Sequence, residues 1–246
     1  MTPALRASGL VVRYGGVAAL DGVDLAVSAG EILGLVGANG AGKTTALDCL
    51  SGHIRPSAGR VWLGDTDISR LGAGRRGRRG IVRSFFDARL FPTMAAGEVL
   101  QLAGRRRRGR GIARHDDDGG SGDDGGGGGL IGDMGLEPYL DHRVGRLSTG
   151  LRKRLDLACM AALAPRVLLL DEPSAGLAGV EVPPLAGWLR LLRDSTGAAV
   201  IIVEHDLPLV WDVADRVLIL EGGRVATSGA PEALREHPAL AFGRFG

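Results

Sequence analysis

One glycine-rich segment carries residue types and a spacing that suit a phosphate-binding loop. Residues Gly37–Thr44 read GANGAGKT and lie between an apolar strand pattern and a helix pattern. Glycines at this spacing let backbone N–H groups converge on an anion at a helix N-terminus. The motif predicts that Lys43 reaches the β- and γ-phosphates of a nucleotide, and that the Thr44 hydroxyl binds Mg²⁺. The other positions expected to hold the nucleotide are Gly37, Asn39, Gly40, Ala41, Gly42 and Thr45.

Acidic and imidazole groups follow two further apolar runs. Asp171 and Glu172 end the first run, and His205 follows the second. Because α/β sheets bind ligands at the carboxyl ends of their strands, these groups are expected near the phosphate loop. Asp171 would then bind Mg²⁺, Glu172 would polarise a water for in-line attack, and His205 would hydrogen-bond the γ-phosphate or that water. An exposed acidic turn is the alternative for the carboxylates, and a structural role is the alternative for His205.

The composition is that of a globular protein with unusual glycine and arginine usage. A chain of 246 residues suffices for one sizeable α/β domain or a core with a subdomain. The net charge of +2 argues against a nucleic-acid binder that relies on bulk charge. Lys43 and Lys153 are the two lysines among 30 basic residues, and Lys153, between two arginines, is expected to be ordinary surface.

No signal peptide is recognised at the N-terminus, and the longest apolar run, Ala198–Val203, is far too short to span a membrane. Cys49 and Cys159 lack a CxxC spacing and are predicted to be buried free thiols in a reducing compartment. The chain is therefore expected to be cytosolic, with any membrane-spanning part on another chain.

Apolar strands that alternate with helices predict a mainly parallel sheet covered on both faces. Residues 72–80 (GAGRRGRRG) are predicted to form a basic loop. Residues 105–129, rich in Gly, Arg and Asp, are predicted to be a flexible insertion, with a nucleic-acid-binding arm as the alternative. The predicted strands are 5–14, 17–27, 31–36, 59–63, 166–170, 198–203, 217–220 and 224–227, and the predicted helices are 43–51, 95–103, 148–163, 180–195 and 207–214.

A further motif, Leu147–Leu151 (LSTGL), stands before a helix pattern and upstream of Asp171. With it, the sequence resembles the ATP-binding subunits of ABC transporters, whose signature is LSGGQ. The resemblance implies a head-to-tail dimer in which Ser148 and Gly150 of one subunit close on ATP at the phosphate loop of the other. It also implies that Tyr14 stacks on adenine.

The same resemblance implies the fold and the partners. The fold would be an α/β RecA-like P-loop core (1–86 and 161–246) with an antiparallel β subdomain, and residues 87–160 would form a helical subdomain. ATP and Mg²⁺ would be the cofactors. Transmembrane permease subunits and a second ATP-binding subunit would be the partners at the cytoplasmic face of the membrane, with a solute-binding protein involved indirectly in an importer and no nucleic acid.

Finer motifs are similar to the ATP-binding subunits of branched-chain amino acid importers. The chain departs from the family at Phe86, where a glutamine is expected, at Thr149 and Leu151 in the signature, and at Ala178, where an aspartate is expected. ATP binding is therefore expected to be intact and hydrolysis or coupling to be altered, which suits an asymmetric pair. The finer motifs are Arg83-Ser84-Phe85, Arg89-Leu90-Phe91, Pro173–Leu177 and Val203–Asp206.

Three other classes stay open. A non-hydrolysing regulatory subunit would keep the same motifs. A P-loop ATPase of DNA repair or translation would carry coiled coils or a second ATPase half, but the sequence has no heptad run and one P-loop. A P-loop kinase or GTPase would not require the motif at Ser148.

Overall fold

The computed structural model describes residues 2–84, 90–108 and 127–243. These fall into two compact units, Met1–Phe86 with Pro165–Gly246, and Asp87–Ala164. In chain order the strands are β1 (Leu5–Tyr14), β2 (Val17–Val27), β3 (Ile32–Val36), β4 (Ala58–Leu63), β5 (Thr66–Asp67), β6 (Ile81–Arg83), β7 (Val167–Asp171), β8 (Ala199–Val203), β9 (Arg216–Glu221) and β10 (Arg224–Gly229). The α-helices are α1 (Lys43–Ser51), α2 (Ala73–Arg78), α3 (Ala96–Arg108), α4 (Gly127–Asp133), α5 (Thr149–Ala162), α6 (Val182–Thr196), α7 (Leu207–Val213) and α8 (Pro231–Leu234).

The central sheet of the first unit has, among the described residues, six strands in the order β10-β9-β3-β8-β7-β6. All are parallel to their neighbours except β10, which forms a hairpin with β9. β3 and β8 are buried along their whole length, as strands covered on both faces must be. The predicted parallel sheet is therefore confirmed.

The register of this sheet brings three strand ends together. Val203 of β8 is paired with Leu35 of β3 on one side and with Asp171 of β7 on the other. The residues that follow these strands, including Gly37 and Glu172, therefore leave the sheet at one edge.

The second sheet of this unit is antiparallel, in the order β2-β1-β4-β5 within the described chain. The predicted hairpin closes between Tyr14 and Val17. The sequence did not predict β5, the edge strand β6 or α8, because elements of two to four residues show no clear periodicity.

The basic segment 72–80 is not the predicted loop, because α2 occupies Ala73–Arg78. The Arg76 side chain is buried, and Nη1 donates to the carbonyls of Cys49 (2.6 Å) and Leu50 (2.8 Å) in the last turn of α1. Helix ends leave carbonyls without intrahelical partners. Arg76 supplies those partners and so holds the segment 72–80 against α1, although its composition is typical of a loop.

The predicted flexible segment 105–129 begins and ends within helices. α3 continues to Arg108, and α4 begins at Gly127. Arginine is a good helix former, so an arginine run prolongs a helix that has already started. Residues 109–126 of this prediction lie outside the described residues.

The second unit contains α3, α4 and α5, and α3 packs against α5. Lys153 lies in α5 and is buried, so its prediction as ordinary surface is wrong. Positions 153, 157 and 160 share one face of a helix, and Leu157 and Met160 are buried too. The Asp156 carboxylate, one turn away, interacts with the Lys153 ammonium.

Cys49 and Cys159 are free and buried, as predicted. Burial raises the pKa of the Cys49 thiol to about 11 and that of Cys159 to about 12, so neither is a thiolate at neutral pH. In the ranges that the structure describes, no helix combines the length and the apolar character needed to cross a membrane.

Candidate nucleotide-binding site

The loop between β3 and α1 folds tightly because glycine occupies two crowded positions. A Cβ on Gly37 would lie 2.2 Å from the carbonyl oxygen of Leu220, and a Cβ on Gly42 would lie 2.4 Å from that of Ala19. Gly42 caps α1 with φ of +104° and without a side-chain hydrogen bond. Among the described side chains, none accepts from the first N–H groups of α1 at this cap, which is the arrangement that receives an anion.

Lys43 places a cation within this loop. Its Nζ donates to the carbonyls of Gly37 (2.7 Å) and Ala38 (3.0 Å), and the side chain is buried. Burial lowers the pKa of Lys43, while the carboxylates of Glu172 and Asp171 act in the opposite direction. The ammonium is thus within electrostatic range of both carboxylates that the sequence predicts for the site.

A cavity of about 220 Å³ runs beside the same loop. Residues Ala38–Ala41 line one side, and Glu221 and Gly222 line the other. Asn39, Gly40 and Thr44 are exposed and Thr45 is half-buried, so the loop presents its predicted contact positions to the surface.

Glu172 and His205 meet at the end of β7 and β8. His205 Nε2 lies 3.0 Å from Glu172 Oε1. The backbone of Glu172 has φ of +47°, a left-handed conformation that is rare outside glycine, and its N–H donates to the Val203 carbonyl at 2.8 Å. Such backbone strain is found where the surroundings fix a functional side chain.

Asp171 is held by two residues from the end of β6. Arg83 Nη2 donates to Asp171 Oδ2 at 2.9 Å, and Asp171 N donates to Ser84 Oγ at 3.0 Å. Sequence reasoning used Arg83 and Ser84 only as family markers and missed this contact. Their place immediately after a short apolar run was the available clue.

Glu204 is a second residue that sequence reasoning did not assign to the site. It is buried, and it accepts hydrogen bonds from Ser174 N (2.6 Å), Ser174 Oγ (2.8 Å) and His205 N (3.1 Å). Burial raises the pKa of Glu204, and the bonds from Ser174 partly oppose that change. Glu204 therefore joins the turn after Glu172 to the turn that carries His205.

The remaining predicted positions lie elsewhere. Tyr14, with 54 % of its surface exposed, ends β1 opposite Val17 of β2, the strand whose Ala19 contacts the loop at Gly42. Ser148 and Gly150 belong to the second unit. Ser148 caps α5, its Oγ accepting from Leu151 N at 3.2 Å, and Gly150 is buried in the first turn.

The donors around the loop fit Mg²⁺ only together with a nucleotide. Within the described ranges, no group of three or more His, Cys, Asp or Glu side chains could hold a metal ion. Thr44 and Asp171 offer two oxygen ligands, and Mg²⁺ commonly takes one or two protein ligands with phosphate oxygens and waters.

Comparisons with known proteins agree on one family. Residues 20–175 match the family model described as ABC transporter. The chain is 33% identical over 242 residues to BraF of Pseudomonas aeruginosa, a high-affinity branched-chain amino acid transport ATP-binding protein, covering 96% of this chain and 95% of that protein. It is 36% identical over 236 residues to the zinc import ATP-binding protein ZnuC of Halorhodospira halophila, covering 96% and 81%.

Solved structures agree on the fold. The ADP conformation of MJ1267, an ATP-binding cassette of an ABC transporter, superposes with a TM-score of 0.83 at 23% identity, covering all of both chains. The expected RecA-like P-loop fold is thus confirmed. The family model covers more than half of the sequence and BraF aligns along almost its whole length, so this chain belongs to the ABC transporter family of ATP-binding proteins.

Proposed function

We propose that this site binds ATP with Mg²⁺ and hydrolyses the γ-phosphoryl bond, and that the hydrolysis energises transport through separate membrane subunits. One observation carries the proposal. Lys43, Asp171, Glu172 and His205 come from three separate strand ends, yet they converge beside one anion-binding loop. Fold alone would not require that convergence.

Each of these side chains has a task in phosphoryl transfer. Lys43 and the N–H groups at the start of α1 would neutralise phosphate charge. Glu172 would accept a proton from the attacking water, and His205 would hold the Glu172 carboxylate in place. Thr44 and Asp171 would bind Mg²⁺, which when bound supplies positive charge to the β- and γ-phosphate oxygens.

A second ATP-binding subunit completes the proposed site. Ser148 and Gly150 start α5, whose N-terminal N–H groups suit an anion. We expect them to close on ATP bound to the phosphate loop of the partner, and Tyr14 to stack on adenine. The surface of Tyr14 is exposed enough to do so.

Branched-chain or related amino acids are the solutes that we favour. The support is the alignment with BraF along almost the whole of both chains. The zinc import subunit ZnuC aligns at a comparable identity, and none of the residues at the site would touch the solute, so the whole-length alignment is what favours this solute class. We place the chain at the cytoplasmic face of the membrane, bound to transmembrane permease subunits. A solute-binding protein would deliver the solute to those subunits.

A subunit with impaired hydrolysis is the second candidate. Phe86, which lies outside the described residues, stands where the family carries a glutamine, and Ala178 stands where it carries an aspartate. Phenylalanine has no polar group to place near Mg²⁺ or water. Such a subunit would act as the regulatory half of an asymmetric pair.

The test has two measurements. Purified protein should bind a fluorescent ATP analogue, and Lys43→Met should weaken that binding by at least about tenfold because hydrogen bonds to charged groups contribute about 1.5–3 kcal/mol. Affinity purification from detergent-solubilised membranes should then recover a polytopic membrane protein. Binding that survives Lys43→Met would refute the site, and recovery of nucleic-acid-processing proteins alone would refute transport.

A further inference from the structure

We propose that Arg83 is a positioning residue for Asp171, which it holds in the orientation that binds Mg²⁺. The inference rests on the proposed function, because it takes Asp171 as a Mg²⁺ ligand. It adds a residue that belongs neither to the phosphate loop nor to the carboxylate pair.

The Arg83 guanidinium connects two carboxylates from different elements. Nη2 donates to Asp171 Oδ2 at 2.9 Å, and Nη1 donates to Asp48 Oδ1 on α1. Nη1 also lies 3.3 Å from Ser51 Oγ. The Arg83 side chain is 7% exposed and that of Asp171 is 14% exposed, so water screens this ion pair poorly.

The backbone fixes the same contact. Arg83 is paired in register with Leu169 of β7, and Ser84 N donates to the Leu169 carbonyl at 2.9 Å. Asp171 N in turn donates to Ser84 Oγ. The base of the Arg83 side chain therefore cannot shift relative to Asp171 without breaking the pairing of β6 with β7.

This geometry engages one carboxylate oxygen of Asp171. Among the described residues, Oδ1 of Asp171 accepts no hydrogen bond, whereas Oδ2 is bound by Arg83. A planar guanidinium can hold two carboxylates in fixed directions, but the ammonium of lysine is a point charge without that fork. Arg83 thus sets which oxygen of Asp171 remains for a cation.

Arg83→Lys tests the inference, because it keeps the charge and removes the fork. The affinity for a fluorescent ATP analogue should stay within about twofold of wild type in EDTA. Mg²⁺ should increase the affinity for the analogue, and the half-saturating Mg²⁺ concentration is the one that gives half of this increase. In Arg83→Lys it should rise by about tenfold, because the loss of an orienting partner typically weakens a metal site. The kcat of ATP hydrolysis should fall while the KM for ATP stays nearly constant.

Two further variants distinguish a specific effect on Asp171 from a general effect of replacing an ion-paired arginine. Asp48→Asn removes a second carboxylate that Arg83 binds and should also raise the half-saturating Mg²⁺ concentration, by a smaller factor. Arg216→Lys is the matched control, because Arg216 forms a comparable pair with Glu31 at 2.8 Å. It should leave the Mg²⁺ dependence unchanged.

The outcomes separate the two claims. If wild-type protein binds the analogue equally well with and without Mg²⁺, the Mg²⁺ site itself is wrong and the inference falls with it. If wild type depends on Mg²⁺ but Arg83→Lys and Asp48→Asn match it within about twofold, the role of Arg83 is wrong and the proposed function stands. If Arg83→Lys lowers the affinity for the analogue as much in EDTA as in Mg²⁺, the effect does not involve Mg²⁺, and the positioning role of Arg83 is also wrong.

Discussion

His205 Nε2 lies 3.0 Å from Glu172 Oε1, although the residues are 33 positions apart in the sequence. The contact exists because β7 and β8 are parallel neighbours and because Glu172 N donates to the Val203 carbonyl. With its proton on Nε2, the imidazole donates to the carboxylate and fixes its direction. Glu172 is thus held in place by its backbone and by His205 rather than lying free on the surface.

Glu172→Gln should abolish most hydrolysis and preserve ATP binding. Glutamine keeps the shape and an acceptor for His205, but it cannot take a proton, so phosphate release should fall by about a hundredfold or more. In excess Mg²⁺ and ATP, light scattering should detect a dimer. Glu232→Gln, at an exposed position, is the control. Undiminished phosphate release would remove Glu172 from the base role, and a monomer would count against a homodimer.

Glu204→Ala should destabilise the first unit and slow hydrolysis. The change leaves the Ser174 N–H, the Ser174 hydroxyl and the His205 N–H without their buried acceptor. The loss of unfolding free energy should be about 2–3 kcal/mol, measured by urea denaturation. Glu204→Gln keeps one carbonyl acceptor and should lose less. Equal stability of the alanine variant and wild type would contradict this account.

Arg76→Met should cost about 3 kcal/mol of unfolding free energy, because the carbonyls of Cys49 and Leu50 lose a buried charged donor. Arg78→Met, in the same helix but exposed, should change stability by no more than about 0.5 kcal/mol. Urea denaturation of both variants measures the difference. If Arg76→Met and Arg78→Met lose similar unfolding free energy, the hydrogen bonds of Arg76 to α1 do not stabilise the fold.

Asp156→Asn should change the pH dependence of stability between about pH 4 and pH 6. Burial raises the pKa of Asp156 to about 6, and the Lys153 ammonium partly opposes this. A folded-state pKa above the unfolded value means that the group's contribution is present below pH 4 and is lost as the pH rises through 6. Denaturation at pH 4, 5, 6 and 7 should show a decline of about 3 kcal/mol from this group. The asparagine variant should lack that decline; the same slope in both proteins would contradict the assignment.

Phe86→Gln should raise ATP hydrolysis. A glutamine side chain can contact Mg²⁺ and the attacking water, and phenylalanine can do neither. The measurement is steady-state phosphate release by wild type and variant, each alone and with the co-purified membrane partner. If both rates stay unchanged, Phe86 does not limit activity.

The sequence determined the phosphate loop, the strand-end carboxylates and the alternation of strands and helices. These features are local: Gly37–Thr44 would hold phosphate through its own backbone, and the apolar runs before Asp171 and His205 have lengths typical of buried strands. Local patterns also predicted a helix over 148–163, because apolar side chains recur at helical spacing at Leu151, Leu155, Ala158 and Ala162.

Tertiary structure alone decided which charged residues are buried and which ones contact the site. Arg76 and Lys153 read as surface charge, yet both are buried because distant backbone carbonyls and a helix face supply their partners. Arg83 contacts Asp171, 88 positions away on a neighbouring strand, and Glu204 contacts Ser174, 30 positions away in the turn after β7. A sequence pattern records the periodicity of its own segment, whereas the partner of a buried charge depends on which strands pair and in which register.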